Sequence, residues 1–209
     1  MSTVTALEVA RQRRIKVFID GSFSFAISRQ DAARYGLKVG QSFSEDKVAE
    51  LKRSAALQDC LDAALHFLSY RPRSEAEVRQ RLHQRGFAGD VAEKTIAELK
   101  QRKLIDDVVF ARFWTENRLS FRPKSREMLK LELRQKGVAV QAAEEATEGL
   151  DDEASAYEAA AKRALKMSSL DNEEFYRRLS GYLRRRGFSY EVVGTVVKRL
   201  WQEHHSTSL

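Results

Sequence analysis

The 209-residue chain has a single cysteine, Cys60, and only two prolines, Pro72 and Pro123. One cysteine cannot form an internal disulfide, which excludes small disulfide-stabilised secreted folds and suits a reducing cytosol. No apolar run approaches the roughly 20 residues that a membrane-spanning helix needs. The first ten residues also lack the pattern of a signal peptide. The sequence therefore predicts a soluble, cytoplasmic protein that makes no contact with a membrane.

Catalytic and cofactor-binding motifs are scarce as well. The four histidines have no acidic or cysteine neighbours at the spacing of a zinc site or a nucleophile pair, and the ten glycines are scattered rather than gathered in a phosphate-binding loop. Two acidic pairs could bind a metal, but each opens a predicted helix, where aspartate caps free backbone N–H groups; they are Asp106-Asp107 and Asp151-Asp152. We therefore expect no enzyme activity, no cofactor and no metal.

Charge gives the first positive indication. Lysine and arginine number 37 against 30 aspartate and glutamate residues, which leaves a formal net charge of +7 at pH 7. This surplus favours anionic partners, with nucleic acid first among them. The hydrophobic fraction of 43% is large enough for a packed core and argues against a disordered chain.

A motif of about fifty residues occurs three times. The prolines lie 51 residues apart in nearly the same string, and three glycines, Gly86, Gly137 and Gly187, follow at spacings of 51 and 50 residues. Each glycine comes after a basic residue. Apolar residues recur eight and four positions before each glycine and thirteen after it, namely Val78, Leu82 and Leu99, Leu129, Leu133 and Leu150, and Leu179, Leu183 and Leu200.

This spacing predicts three helices in each repeat. Apolar residues eight and four positions before a glycine lie with that glycine on one face of a helix, and the helix ends at the glycine. Ser74, Ser125 and Asp171 are the predicted caps at the starts of these second helices. The first helices are predicted at Leu57–Ser69, Asp106–Leu119 and Asp152–Met167, and the third helices at Gly89–Arg102, Val140–Gly149 and Tyr190–Glu203. Cys60 lies on an apolar stripe and is predicted to be buried.

The first 55 residues follow a different pattern. Apolar and polar residues alternate on both sides of Asp20-Gly21, which predicts a β-hairpin with a two-residue turn. A third strand is predicted at Leu7–Val9, a short helix at Arg29–Tyr35, and a further helix start at Ser44.

The sequence thus predicts a mainly α fold of three tandem three-helix repeats in an elongated, curved array, preceded by a small α/β module that contains the hairpin. The predicted divisions are 1–55 for the module and 56–105, 106–150 and 151–209 for the repeats. The aromatic residues within the repeats have the helical spacing of core positions; they are Phe110, Phe113, Trp114 and Trp201. Phe121 is predicted either to contact a partner or to pack between repeats.

Two basic clusters stand out in the repeats. The first lies between repeats one and two and contains Arg118, Arg122, Lys124, Arg126, Lys130, Arg134 and Lys136; the second lies in repeat three and contains Arg177, Arg178, Arg184, Arg185 and Arg186. Arginine binds phosphate or carboxylate through two parallel hydrogen bonds, so both clusters suit a nucleic-acid backbone or an acidic protein surface. The basic residue before each repeat glycine also suits the helix dipole.

Several strings resemble the RecX regulatory proteins, which modulate the RecA recombinase. The strings are Arg73–Arg79, Leu82–Phe87, Leu104–Asp107 followed by Phe110-Ala111, and Glu132–Val138. The resemblance covers about residues 56–205, and repeat three departs from the pattern because its second helix has no proline.

The resemblance implies a helical array that lies along the groove of a RecA filament on single-stranded DNA and inhibits ATP hydrolysis, strand exchange and coprotease activity. It places the protein in homologous recombination, DNA repair and the SOS response. The basic surplus predicts weak, non-specific affinity for single-stranded DNA, and we expect the protein to be a monomer. The residues predicted to make electrostatic contact are Arg71, Arg73, Arg122, Lys124 and Arg126, with Arg184, Arg185 and Arg186 as a second patch.

Two other functions remain open at this level. Helix, glycine turn and helix is also the arrangement of a helix-turn-helix DNA-binding protein. A base-reading helix needs Asn, Gln or Arg near its start, whereas the third helices begin with acids and small residues around Ala88, Ala139 and Ser189, which disfavours sequence-specific binding. The other function is a helical-repeat scaffold for a different acidic protein, and only the family strings argue against it.

Overall fold

The computed structural model describes residues 1–10 and 14–205, and this part of the chain contains four strands and ten helices. The strands are β1 (Ser2–Ala10), β2 (Arg14–Ile19), β3 (Ser22–Ser28) and β4 (Ser42–Phe43). The helices are α1 (Arg29–Arg34), α2 (Glu45–Leu68), α3 (Glu75–Gln84), α4 (Gly89–Gln101), α5 (Asp107–Phe121), α6 (Arg126–Gln135), α7 (Val140–Glu145), α8 (Asp152–Leu165), α9 (Asn172–Arg184) and α10 (Tyr190–His205). The mainly helical class is confirmed.

The chain forms two compact units. The first comprises residues 1–71 and 78–104, and the second comprises residues 72–77 and 105–209. The first unit therefore holds the sheet, α1, α2, α4 and most of α3. The second unit holds the six helices from α5 to α10 together with the segment that begins α3.

The N-terminal sheet is antiparallel, with strand order β3-β2-β1-β4. Between β2 and β3, Asp20 and Gly21 have φ values of 49° and 79°, the left-handed pair that a tight hairpin turn requires. The predicted hairpin is confirmed, and the predicted third strand is present as the longer β1. Apolar residues of one face, among them Val17 and Phe25, form a core with Leu51 of α2.

Helix α2 joins this core to the first repeat. Ser44 caps its start by accepting a hydrogen bond from the Lys47 N–H at 3.2 Å. Ala55 packs in the core beneath the sheet, while Cys60, further along the helix, is fully buried, and burial raises the pKa of its thiol. The sequence predicted a separate helix from residue 57. One continuous helix forms instead, because residues 45–68 contain neither glycine nor proline.

The second helix of every repeat ends as predicted. Gly86, Gly137 and Gly187 have φ values of +81°, +79° and +88°. In each repeat the N–H of the residue after the glycine donates to the carbonyl of the leucine four positions before the glycine, which closes the last helical turn. The recurring sequence pattern therefore reflects the same backbone geometry three times.

The predicted buried stripe is confirmed with one exception. Its members on the second helices are fully buried, namely Val78, Leu82, Leu129, Leu133, Leu179 and Leu183, as are Leu99 and Leu200 on the third helices. Leu150 is only half-buried. Its helix was predicted to reach Gly149, but α7 ends at Glu145, and the chain turns through Gly149 with φ +70°.

Three of the four aromatic residues predicted to be core, Phe110, Trp114 and Trp201, lie in or against the core of the repeats, and Phe113 is half-buried. Phe110 is buried and Trp114 packs against it, with ring centroids 5.9 Å apart. Trp201 packs on Phe175 of α9, with ring centroids 5.2 Å apart. Phe121 is 78% exposed, so it does not pack between repeats.

Candidate partner-binding surface

Successive second helices meet at two joints within the second unit. In the first joint, the Ser74 hydroxyl donates to the Lys136 carbonyl at 2.6 Å, and the Lys136 ammonium pairs with Glu77 at 2.7 Å. In the second joint, the Ser125 N–H donates to the Arg186 carbonyl at 3.1 Å. The end of one second helix therefore docks on the start of the preceding one, and the serine N-cap serves both helices.

Glycine permits this close approach. A Cβ atom at Gly137 would lie less than 3.0 Å from the Cβ of Ala76. At Gly187 it would lie 2.7 Å from the Ser125 hydroxyl oxygen and 2.9 Å from the Met128 Cβ. The repeat glycines of the second unit thus have two functions, a left-handed turn and a contact with the neighbouring repeat.

The acidic pairs strengthen the same joints. The first aspartate of each pair accepts hydrogen bonds from the N–H groups of its own helix, which confirms the caps predicted for Asp106 and Asp151. The second aspartate reaches the preceding repeat: Asp107 accepts from the Glu75 N–H at 2.9 Å, and Asp152 accepts from the Arg126 N–H at 2.7 Å. Each pair therefore caps two helices, a role the sequence signal did not reveal.

A half-buried glutamate organises part of the first basic cluster. Glu132 of α6 accepts hydrogen bonds from the Trp114 indole and the Arg118 guanidinium, both at 2.9 Å, and it also pairs with Lys124. Burial alone would raise the pKa of this carboxyl, but hydrogen bonds from Lys124, Trp114 and Arg118 outweigh it, so the pKa lies below its ordinary value. The Lys136 ammonium adds a cation–π contact, 4.2 Å from the Trp114 ring centroid.

These contacts divide the predicted contact residues of the first patch. Lys124 is half-buried in the Glu132 network, and Arg71 and Arg73 are also half-buried and engaged in contacts within the protein. Arg122 and Arg126 are exposed, and neither guanidinium has a carboxylate partner in the described part of the chain. The freely presented charge of this patch is therefore smaller than the sequence suggested.

The second patch is divided in the same way. Arg186 is half-buried, donates to the Pro123 carbonyl at 3.3 Å and lies 4.5 Å from the Tyr182 ring centroid. Arg184 is exposed and lies 3.4 Å from the Tyr190 ring centroid. Arg185 is exposed, and among the described residues it has no acidic partner. Arg186 thus contributes to the second joint, whereas Arg184 and Arg185 face outward.

A groove in the second unit gathers basic residues from both patches and from a helix that the sequence analysis did not single out. It has a volume of about 630 Å³ and lies between the end of α5, one side of α8 and the last turns of α9. Five cations and one carboxylate line it, namely Arg122, Lys162, Arg163, Lys166, Arg186 and Glu158. The spacing of Lys162 and Lys166, four residues apart on a helix, was the available sequence signal.

Family models match most of the helical part of the chain. The model described as RecX, first three-helix domain, matches residues 60–99; the second three-helix domain matches 106–146, and the third matches 151–197. The chain belongs to the RecX family. Each matched range lies within one of the three predicted repeats.

Individual RecX proteins are similar over most of the chain. Regulatory protein RecX of Clostridium botulinum is 28% identical over 205 residues, which is 95% of this chain and 96% of the relative. Regulatory protein RecX of Leuconostoc mesenteroides is 25% identical over 98% of this chain and 78% of its own length. The relatives are thus named as regulators, and they support no catalytic activity.

Solved structures of RecX share the fold. A crystal structure of regulatory protein RecX covers 95% of this chain and 100% of its own, with a TM-score of 0.66 at 22% identity. The crystal structure of RecX from Lactobacillus salivarius covers 70% of this chain and 97% of its own, with a TM-score of 0.60 at 25% identity.

Residues 1–10 and 14–205 contain neither a metal-binding cluster nor a membrane-spanning helix. No group of three or more histidine, cysteine, aspartate or glutamate side chains in this part of the chain could hold a metal ion. No helix found there has the length and hydrophobicity to span a membrane.

Proposed function

We propose that this RecX-family protein binds RecA filaments on single-stranded DNA and modulates, mainly by inhibition, ATP hydrolysis, strand exchange and coprotease activity. The single observation that carries the proposal is the match of all three RecX domains across residues 60–197. In this role the protein acts in the cytoplasm, in homologous recombination, DNA repair and the SOS response.

The exposed cations supply the attraction. Arg122, Arg126 and Arg185 project from junctions between helices and have no acidic partners in the described chain. Guanidinium groups in this state can bind the carboxylates of an acidic protein surface or the phosphates of exposed DNA. Individual contacts of this kind are weak, but repeats that contact several filament subunits at once gain affinity through effective concentration.

Co-sedimentation with preassembled filaments tests the proposal. The protein is mixed with cognate RecA on single-stranded DNA, with free RecA, and with the bare strand. We expect retention to be greatest on the filament, since only the filament repeats its binding surface along one axis. Equal or weaker retention on the filament than on its separate components would contradict the proposal.

A matched pair of variants isolates the role of the exposed arginines. Arg122→Ala/Arg126→Ala should weaken filament binding. Lys52→Ala/Lys94→Ala removes the same charge from exposed positions on α2 and α4 and should have little effect. Equal losses for both pairs would show a dependence on net charge alone.

A further inference from the structure

The groove beside α8 combines exposed apolar side chains with positive charge. Phe121 is 78% exposed at the end of α5, and Leu165 is 60% exposed on α8. Both line the groove with the five cations described above. An exposed aromatic ring between cations matches an unpaired nucleotide, which has a flat base and a negatively charged phosphate.

Tyr182 holds one wall of this groove in place. Its hydroxyl donates to the Ala159 carbonyl at 3.1 Å, which ties α9 to α8. The guanidinium carbons of Arg163 and Arg186 lie 4.8 and 4.5 Å from its ring centroid, within the range of cation–π contacts. Two of the five cations are therefore held in position before any ligand arrives.

The other three cations are available to a ligand. Arg122, Lys162 and Lys166 are exposed, and none has a carboxylate partner among the described residues. Glu158 is the one carboxylate on the lining. The volume of about 630 Å³ lies within the range of about 300–1,000 Å³ that ligand-binding pockets have.

We propose that this groove binds single-stranded DNA, with one base stacked on the Phe121 ring and the flanking phosphates paired with Arg122, Lys162 and Lys166. The inference deepens the proposed function by assigning a site and a mode of contact to the strand. A base in a duplex is already stacked on its neighbours and cannot present its face to Phe121. The site therefore selects unpaired strands without reading their sequence.

Two fluorescent probes separate stacking from charge. One is an oligothymidylate, and the other is an abasic strand of the same length, which keeps the phosphates and lacks the bases. Measured by fluorescence anisotropy, the native protein should bind the oligothymidylate about five-fold or more tightly than the abasic strand. Phe121→Ala should remove this preference and leave the affinity for the abasic strand unchanged, while Phe121→Trp should retain it.

Control variants test the location of the site. Phe23→Ala removes a ring that is 59% exposed on β3 and should leave both affinities unchanged. Lys162→Ala/Lys166→Ala should lower the affinity for both strands by the same factor. It should also reduce the slope of log affinity against log salt concentration by about 1.4. Circular dichroism confirms that each variant is folded, as expected for exposed positions.

Equal binding of the two probes by the native protein would overturn the inference, as would an unchanged preference in Phe121→Ala. Tighter binding of a duplex than of the oligothymidylate would overturn it as well. These measurements contain no RecA, so their outcome is independent of the filament experiments that test the proposed function. A protein that binds filaments normally but fails here would retain that function and lose the proposed strand site.

Discussion

The close approach at Gly137 gives a sharp test of how the repeats are joined. Gly86 and Gly137 occupy the same position in successive repeats and have nearly the same φ, +81° and +79°. A Cβ at Gly86 would meet nothing within 4 Å, whereas a Cβ at Gly137 would overlap that of Ala76. Alanine at the two sites therefore differs in one respect, the contact with the preceding repeat.

The structure sets the size of each effect. Left-handed backbone costs a non-glycine residue about 1–2 kcal/mol, and both variants should lose this amount of unfolding free energy. Overpacking a tight contact costs a further 1–3 kcal/mol, roughly, and only Gly137→Ala should incur it. The double variant Ala76→Gly/Gly137→Ala lacks the opposing methyl group and therefore has no overlap. Its loss of unfolding free energy should be smaller than the sum of the two single-variant losses by about 1–3 kcal/mol.

Urea denaturation measures these differences with two probes. Circular dichroism follows helix loss in both units, and tryptophan fluorescence follows the second unit, which contains Trp114 and Trp201. We expect Gly137→Ala to lower the fluorescence midpoint, while Gly86→Ala lowers only the part of the dichroism transition that reports the first unit. Equal losses of unfolding free energy at the two glycines, with additive effects of Ala76→Gly, would refute the reasoning.

Three further predictions concern charge and capping. Glu132→Gln should lower the unfolding free energy by about 2 kcal/mol, whereas the control Glu127→Gln, at an exposed position, should change it little. The pKa of Glu132 in the folded protein lies below its ordinary value, so the stabilisation by the charged carboxylate is fully present above the ordinary pKa. Denaturation measured as a function of pH should show this stabilisation disappear as the pH falls through the lowered pKa. Asp152→Ala should lower the unfolding free energy, measured by thermal denaturation, by about 1 kcal/mol, because the Arg126 N–H loses its hydrogen-bond acceptor. The isolated protein should bind single-stranded DNA weakly with a steep salt dependence, and a flat response from low to moderate salt would exclude phosphate contacts.

The repeat architecture was predictable because its signals are local. A helix that ends at Gly187 shows its apolar face and its stop within a dozen residues, and the hairpin turn at Asp20-Gly21 needs only two. The start of the first repeat was not predictable in this way. The repeat pattern suggested a boundary near residue 56, but a helix continues until something interrupts it, and nothing does so between Ser44 and Ser69.

The candidate surface was predictable only in part, because charge pairing depends on distant residues. Lys124 and Arg122 look equivalent in the sequence, yet Lys124 meets Glu132 and Arg122 meets no carboxylate in the described chain. Arg186 is held by Pro123, 63 positions away, and no short-range pattern encodes that contact. The groove cations on α8 were missed for the same reason, since only the fold brings them beside Phe121.

ATP hydrolysis by the cognate RecA, measured on single-stranded DNA while this protein is titrated in, tests the central claim most directly. We predict that turnover falls well before the protein reaches one copy per RecA subunit, because in the proposed mode of binding each molecule contacts several filament subunits. Turnover that stays constant across the full titration would contradict the assignment of this protein as a RecA regulator.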